Sequence, residues 1–572
     1  MMNGAPLVTG LARLYPADVG YSNELADVLA FVESPHDPRT VVRAGYGAGL
    51  VVAPLAAIAF FLLPVPLPVG LVLSVGLAVS AVHAVHQLPH WRARFRRTRA
   101  LGDTPNLIGR AVLRMQIQPA TESAVAFAAD TGEGPLAESL SAHIDRSLGT
   151  PRSGLLSFAG EWAEWFPALR RSAHLLATAE DAPPAERART LDRSMTAVLD
   201  GTRDRMSEFT ASIRGPATAL YAFGVMIPLA LVALVPAVTI AGYPVSLWFF
   251  VVTYNVVLPV MLVAASVWLL SRRPVAFPPP NVDRTHPDIP NRVWPQAFVG
   301  VAAGAVAYAV VSLVGPAYLA TVAGVGFGLG VALLALFHPV LVVRNHVRDV
   351  EEHLVDALYI AGRQVAEGEA VESAVQLAGE RVPAETGEVF ATAAGLQRRL
   401  HVGVEEAFLG TYGALRNVPS PRAHSTAALL SIAAEEGQPA GRAIVSMADH
   451  LEELQEVERK TKRELNEVTG TLDNTAAFFS PVVGGATVGL AAIIVERGID
   501  AADVTEAEVL PVEPLGVVVG VFLITLCLIL TPLSIGLRYG LDRAMVGYYV
   551  GRALVFAVPL YVGTVTAVTL FV

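Results

Sequence analysis

Nine apolar runs constrain this 572-residue chain more than any other feature. Each is long enough to cross the hydrocarbon core of a bilayer as a helix. They lie near 45–63, 68–86, 217–237, 246–270, 295–314, 317–342, 476–495, 514–536 and 547–571. With 53% apolar and only 16% charged residues, the composition is not that of an ordinary soluble protein. The sequence therefore predicts an all-α, polytopic membrane protein with about nine transmembrane helices.

The arginines of the short loops predict which side of the membrane each segment faces. Basic residues follow the second, fourth, sixth and eighth runs, whereas the opposite loops are uncharged or, at 496–514, acidic. The positive-inside rule then places the N-terminus inside the cell and the C-terminus outside. We expect a multi-pass protein of the cytoplasmic membrane whose two large polar regions, roughly 88–215 and 343–475, are both cytoplasmic.

These two polar regions repeat each other. The motif Glu-Ser-Ala-Val at 122–125 returns at 372–375, Ser-Met at 194–195 returns at 446–447, and Pro228 corresponds to Pro481. The offsets are 250, 252 and 253 residues, and the hydropathy order around them is the same. A near-constant offset is the signature of an internal repeat. Both regions are rich in Ala, Leu, Glu and Arg without β alternation, which predicts two copies of one helical module.

The division of the chain follows from the spans and the repeat. We expect a cytoplasmic N-terminal segment (1–44), a transmembrane hairpin (45–86), the first helical module (87–215) and a second hairpin (216–270). A Pro-rich cytoplasmic linker (271–294), a third hairpin (295–342) and the second module (343–475) follow. Three transmembrane helices with the acidic external loop 496–514 complete the chain (476–572).

Two segments of the second module resemble a known family. The sequence AAEEGQPAGRA at 433–443, followed by MADHL at 447–451, is similar to the acidic, glycine-bearing helix turn of the type II secretion F-domain family. The segment 366–375 resembles the family's other recurring segment, in which a glycine turn opens an Ala-rich helix. With its order of spans and modules, the chain most resembles the archaeal branch: the platform proteins of the archaellum and of archaeal type IV-like pili.

This resemblance implies two repeated cytoplasmic helical-bundle domains of the F type in a non-enzymatic membrane platform. It implies a cytoplasmic hexameric secretion ATPase and the pilin or archaellin subunits of a filament as partners, besides membrane lipid. A homo-oligomer, either a dimer or a trimer, suits such a platform. Whether the filament is a rotating archaellum or an adhesive pilus stays open, as does which module contacts the ATPase.

Candidate partner contacts come from the second module. The family's turn maps onto Glu435, Glu436, Gly437 and Gly441, and a basic cluster on the charged helix 447–471 adds Arg459, Lys460, Lys462 and Arg463. The alternative for the basic cluster is a solvated helix face. Two polar residues, Glu458 and Thr461, interrupt the apolar stripe of that helix. The first module has the sequence EDAPP at 180–184 in place of the glycine turn, so we expect its turn to be built differently.

Several other functions are disfavoured by the residues. No GxxxxGK[ST], HExxH or GxSxG motif occurs, which predicts no catalytic residue and no cofactor. The single cysteine, Cys527, excludes a disulfide framework and a thiolate metal site. Histidines cluster at 83, 86 and 90 and at 338, 346 and 353, but we expect no metal there. The arginines at 92–99 are explained by topology, so nucleic acid is not an expected partner.

A transporter is the alternative function. Coupled transporters place ionisable groups within the membrane, and the first eight runs have none well inside them. Asn255 is the most polar residue in the middle of a run, and we expect it to form an interhelical hydrogen bond rather than to line a pathway. Pro228, Pro236 and Pro259 are expected to kink their helices.

Overall fold

The computed structural model describes residues 5–62, 66–132, 134–149, 153–240, 246–275, 286–290, 292–436, 438–501 and 512–571, and the single positions 277, 280 and 282. These residues form α-helices, short π and 3₁₀ segments and loops, and no β-strand occurs among them. Within the same residues, nine helical stretches are long and apolar enough to cross a membrane. The predicted all-α, polytopic membrane fold is therefore confirmed.

The chain begins with two short helices and a transmembrane hairpin. These are α1 (Ala5–Arg13), α2 (Asn23–Phe31), α3 (Pro38–Leu62) and α4 (Leu67–Gly102). Helix α4 has 36 residues, whereas about 20 are enough to cross a bilayer. Its last turns therefore continue beyond the membrane and lead directly into the first helical module. His86 lies between the two helices of the hairpin, where its Nε2 is 3.1 Å from the carbonyl oxygen of Val42.

The described residues of each polar region form six helices, and membrane helices separate the two modules. The first module comprises α5 (Thr104–Ile117), α6 (Thr121–Asp130), α7 (Pro135–Ser147), α8 (Gly154–Trp162), α9 (Pro167–Ala179) and α10 (Pro184–Tyr221). Next come α11 (Ile227–Ile240), α12 (Leu247–Val252), α13 (Leu258–Ser271), α14 (Trp294–Val314) and α15 (Ala320–Glu352).

The second module repeats the order of the first. It comprises α16 (Leu354–Ala366), α17 (Val371–Arg381), α18 (Ala384–Leu400), α19 (Val404–Leu409), α20 (Pro421–Glu436) and α21 (Gln438–Asn474). Three membrane helices follow, α22 (Ser480–Ala501), α23 (Val512–Tyr539) and α24 (Arg543–Phe571). Apolar side chains of α16 to α21 form one continuous core, to which Leu113 of the first module also belongs. The two modules therefore pack against each other on one side of the membrane bundle, called the module side below.

The last helix of each module continues into the membrane through a π-helical turn. The turn Ala222–Met226 joins α10 to α11, Thr475–Phe479 joins α21 to α22, and Thr253–Val257 joins α12 to α13. A proline occupies the second position after each turn, at 228, 481 and 259. Proline has no N–H and its ring crowds the preceding turn, and inserting one residue relieves that conflict as a π-turn. The repeat at the level of sequence thus recurs as a repeat of local geometry.

Hydrogen bonds from neighbouring helices reach the backbone near these turns. The Tyr254 hydroxyl donates to the carbonyl oxygen of Pro228 at 2.5 Å, and the Cys527 thiol donates to that of Ala476 at 3.3 Å. The interhelical hydrogen bond expected for Asn255 is wrong, because its Oδ1 is buried without a partner among the described residues. Asn255 follows Tyr254 directly and so projects about 100° away from it around the helix, and Tyr254 makes the interhelical bond instead.

Helix α23 lies at the centre of the membrane bundle. Within its most apolar 18 residues 67% are buried, against 11% for α4 and for α14. Helices α11, α13, α15, α22 and α24 surround it or pack on its neighbours. Helix α14 is held at the edge by α15, where a Cβ on Gly328 would lie 3.0 Å from the Cα of Gly304. Such glycine contacts let two transmembrane backbones approach closely.

Candidate partner surface and its links to the membrane helices

The turn between α20 and α21 lies at the end of the second module farthest from the membrane. Helix α20 begins beside the end of the membrane helix α15, where the Ser420 hydroxyl donates to Glu351 at 2.6 Å. Its 16 residues extend about 24 Å along the helix axis, away from the end of α15. Helix α21 starts next to the end of α16 and returns to the membrane. We call this end, with the loops at 367–370 and 401–403, the distal tip.

The distal tip carries an acidic groove. Glu435, at the end of α20, lines it together with Glu372 of α17 and with Glu405 and Glu406 of α19. The groove is open to solvent and has a volume of about 350 Å³. All four carboxylates are exposed, and none forms an ion pair with an arginine or lysine among the described residues. Their uncompensated charge attracts a positively charged surface.

The other residues of the predicted turn differ in their exposure. Gly437 lies outside the described residues, and of Glu436 the backbone alone is described, as the last residue of α20. Gly441 is buried, and a Cβ there would come 2.7 Å from the Cα of Ala366. The prediction that Gly441 contacts a partner is therefore wrong. Helix α21 crosses α16 so closely here that only glycine fits.

The basic cluster divides between two faces of α21. Arg459, Lys460 and Arg463 are exposed and remain available to a partner. Lys462 faces inward: its Nζ is 4.0 Å from Glu458 and 5.6 Å from the centre of the Tyr539 ring at the end of α23. This lysine therefore belongs to the contact between the module and the membrane helices.

A largely buried charge cluster ties the second module to the end of α15. Arg422, at the start of α20, contacts Glu351 of α15 at 3.3 Å and Glu458 of α21 at 2.5 Å. The exposed fractions of these side chains are 19%, 15% and 12%. Burial acts to lower the pKa of Arg422, but the carboxylates of Glu458 and then Glu351 raise it above its ordinary value. The guanidinium is charged at any physiological pH and joins three helices at one point.

A second set of contacts joins the loop between α23 and α24 to neighbouring helices. Arg344 of α15 donates two hydrogen bonds to Asp542, at 2.6 and 2.9 Å. Arg538 pairs with Asp473 of α21. The buried Arg273, just after α13, donates to the carbonyl oxygens of Gly536 and Arg538 at 2.9 and 3.0 Å. Three helices thus meet at the module-side end of the central helix α23.

The charge states at this loop follow from burial and pairing. Burial acts to raise the pKa of Asp542, but the hydrogen bonds and charge of Arg344 lower it below its ordinary value. Burial lowers the pKa of Arg273 to about 9, which leaves its guanidinium charged at pH 7. Both interactions therefore persist at neutral pH.

Hydrogen bonds and a small cavity also occur where the two modules meet. Arg110 of α5 donates to the Ser425 hydroxyl at 3.0 Å, and Gln116 donates to that of Ser446 at 2.9 Å. A cavity of about 20 Å³ remains beside them, lined by Met195 and other residues of both modules. That is enough space for about one water molecule.

The corresponding turn of the first module has another construction, as the sequence predicted. Helix α9 ends at Ala179 and α10 begins at Pro184. The Arg187 guanidinium donates to the carbonyl oxygens of Ala179 and Ala182 at 3.2 and 3.0 Å. Glu180 faces α6, where it accepts a hydrogen bond from the backbone N–H of Thr121 at 3.4 Å. Arg187 thus holds this turn closed.

The arrangement brings together an acidic contact surface and several charged links between helices. Among the described residues, no group of three or more histidine, cysteine or acidic side chains is placed to hold a metal ion. Sequence reasoning missed Arg422 and its partners, although Glu458 within the apolar stripe of α21 was a usable signal. Comparison with protein-family models, with curated proteins and with solved structures finds no match for this chain.

Proposed function

We propose that this chain is the membrane platform of an archaeal type IV filament machine, either an archaellum or an adhesive pilus. In this proposal a cytoplasmic hexameric secretion ATPase acts on the helical modules, and the membrane helices pass its movement to pilin or archaellin subunits. The chain performs no chemistry itself. The resemblance of two segments to the F-domain family suggests the partners, and the physical case rests on how the modules are joined to the membrane.

The observation that carries the proposal is the unbroken helical path from the distal tip into the membrane. Helix α21 has 37 residues and is about 55 Å long, and it continues through a π-turn into α22. A displacement at the tip is therefore delivered to a membrane helix without an intervening loop. The first module repeats this arrangement with α10 and α11.

The charge clusters favour transmission to more than one membrane helix. Arg422 connects the second module to α15, and Asp473 and Arg344 connect α21 and α15 to the ends of the loop between α23 and α24. Movement of the second module would then displace α15, α22, α23 and α24 together. A passive anchor does not need such cross-connections.

On this proposal the ATPase docks at the acidic groove of the distal tip with a basic surface. The test uses the full-length chain in nanodiscs and a purified hexameric secretion ATPase from the same organism. Binding and ATP turnover are measured for the wild type, for Glu435→Lys with Glu405→Lys, and for the control Glu388→Lys. Glu388 is an exposed carboxylate of the same module outside the groove.

The double variant should bind at least tenfold more weakly, because charge reversal turns attraction into repulsion across the interface. The control should bind like the wild type. If wild-type chain neither binds the ATPase nor changes its turnover at any salt concentration, the proposed function is wrong. If the wild type and both variants bind the ATPase equally well, the proposed function stands and the docking site lies outside the groove.

A further inference from the structure

Two exposed arginines at the module-side ends of neighbouring membrane helices have no carboxylate partner. Arg94 is on α4 and Arg272 directly follows α13, and neither forms an ion pair among the described residues. Two nearby arginines are occupied: Arg96 pairs with Glu33 at 2.6 Å, and Arg273 donates to backbone carbonyls. The positive-inside rule explains why arginines occur here. Arg94 and Arg272 differ from Arg92 and Arg99, which are also exposed and unpaired, in lying near the contact between α4 and α13.

The junction is defined by a hydrogen bond between the two helices. The Thr98 hydroxyl of α4 donates to the carbonyl oxygen of Arg273 at 3.0 Å. Arg94 lies four residues before Thr98, which is about 6 Å along the axis and about 40° around it. Arg272 is the neighbour of Arg273 in the chain. Arg94 on α4 and Arg272 at the end of α13 thus both lie near this contact, which we call the seam between α4 and α13.

The depth of this seam matches that of lipid headgroups. The Arg272 guanidinium carbon lies 4.0 Å from the centre of the Trp268 ring, and Trp268 is 43% exposed. Exposed tryptophan is typical of the membrane–water interface. Further into the membrane α4 presents bare apolar side chains, including Val72, Val75 and Val79. The seam is thus basic at its headgroup end and apolar below it.

We propose that the seam between α4 and α13 binds an anionic phospholipid, with its phosphate between Arg94 and Arg272. Guanidinium groups bind phosphate oxygens with strong, charge-assisted hydrogen bonds, and basic pockets between membrane helices are typical anionic-lipid sites. The acyl chains lie along the exposed face of α4. The bound lipid joins the peripheral hairpin α3–α4 to the bundle that surrounds α23. This proposal does not depend on the filament machine proposed above.

The experiment compares two pairs of charge-neutralising substitutions in the purified full-length chain. The site variant is Arg94→Gln with Arg272→Gln. The control is Arg92→Gln with Arg99→Gln, which removes the same charge from exposed positions about 120° and 100° around α4 from Thr98. Phosphatidylglycerol, phosphatidylcholine and inorganic phosphate are titrated separately in zwitterionic detergent. Bound lipid is counted by native mass spectrometry, and apparent Tm is followed in parallel.

Wild type and control should retain phosphatidylglycerol and gain thermal stability from it, whereas the site variant should bind it about 30-fold more weakly. Equal losses in site variant and control would show diffuse charge attraction and overturn the site. The site would also be overturned if phosphatidylcholine or inorganic phosphate alone raised the Tm of the wild type as much as phosphatidylglycerol does. The same holds if the wild type neither retained phosphatidylglycerol nor gained stability from it. If the site variant is poorly folded, Arg94→Lys with Arg272→Lys must retain phosphatidylglycerol for the proposal to stand.

Discussion

Removing one arginine should loosen the second module from the membrane helices. In the variant Arg422→Met, the carboxylates of Glu351 and Glu458 stay in a site where they are 15% and 12% exposed. Removing one partner of a fully buried ion pair costs about 3–5 kcal/mol. Here some water reaches the carboxylates, and Lys462 remains 4.0 Å from Glu458. We therefore expect a loss of about 2–4 kcal/mol in the free energy of unfolding of this module.

The assay is thermal unfolding of the full-length chain in detergent, followed by a fluorescent dye. The apparent Tm should fall by roughly 5–15 °C for a unit of this size. Arg416→Met is the control, because Arg416 is an exposed arginine of the same module and such changes stay within about 0.5 kcal/mol. Adding Glu351→Gln and Glu458→Gln to Arg422→Met should restore part of the loss, since neither carboxylate is then buried and unpaired, while Lys462 loses its contact with Glu458. Equal Tm values for Arg422→Met and its control would refute the reasoning.

Three further predictions concern other contacts. Gly441→Val should lower the apparent Tm by more than 5 °C, because its side chain collides with the backbone of Ala366; an unchanged Tm would mean that α16 and α21 can separate freely. Tyr254→Phe should lower the free energy of unfolding by about 1 kcal/mol, because the hydrogen bond to the Pro228 carbonyl is lost. An unchanged free energy of unfolding would show that this bond is dispensable. The folded-state pKa of Asp542 is lowered, so the stability difference between wild type and Asp542→Asn should be constant from about pH 5 to 8 and shrink below about pH 4. Loss of that difference already at pH 6 would contradict the assigned ion pair.

Sequence was sufficient for the membrane architecture because the signal is local. A run such as 514–536 has no charged residue and is mostly apolar, and the structure has α23 at Val512–Tyr539. The expected charged helix at 447–471 is present but longer, as Gln438–Asn474. Its extra turns are stabilised by packing at both ends, at Gly441 against α16 and at Asp473 against Arg538. Such long-range contacts leave no trace in local periodicity.

The candidate site was less predictable, because it too depends on contacts between residues far apart in the chain. Exposure of Arg459 and Lys460 follows from helical spacing, but the inward turn of Lys462 depends on Tyr539, which is 77 positions away in the chain. The prolines predicted kinks at Pro228 and Pro259, and the structure has π-turns just before both. Proline marks where a helix is disturbed, while the surrounding helices decide how the disturbance is resolved.

The most direct test of the account is the side of the membrane on which each module lies. Cys527 is buried, so it gives little background to a thiol reagent that cannot cross membranes. Single cysteines are introduced at Glu122, Glu372 and Leu570, of which the first two are matching exposed positions of the repeat. In intact cells the account predicts labelling at 570 alone, and labelling at 122 and 372 only after the membrane is permeabilised. Labelling of either 122 or 372 in intact cells would contradict two modules that face the cell interior together.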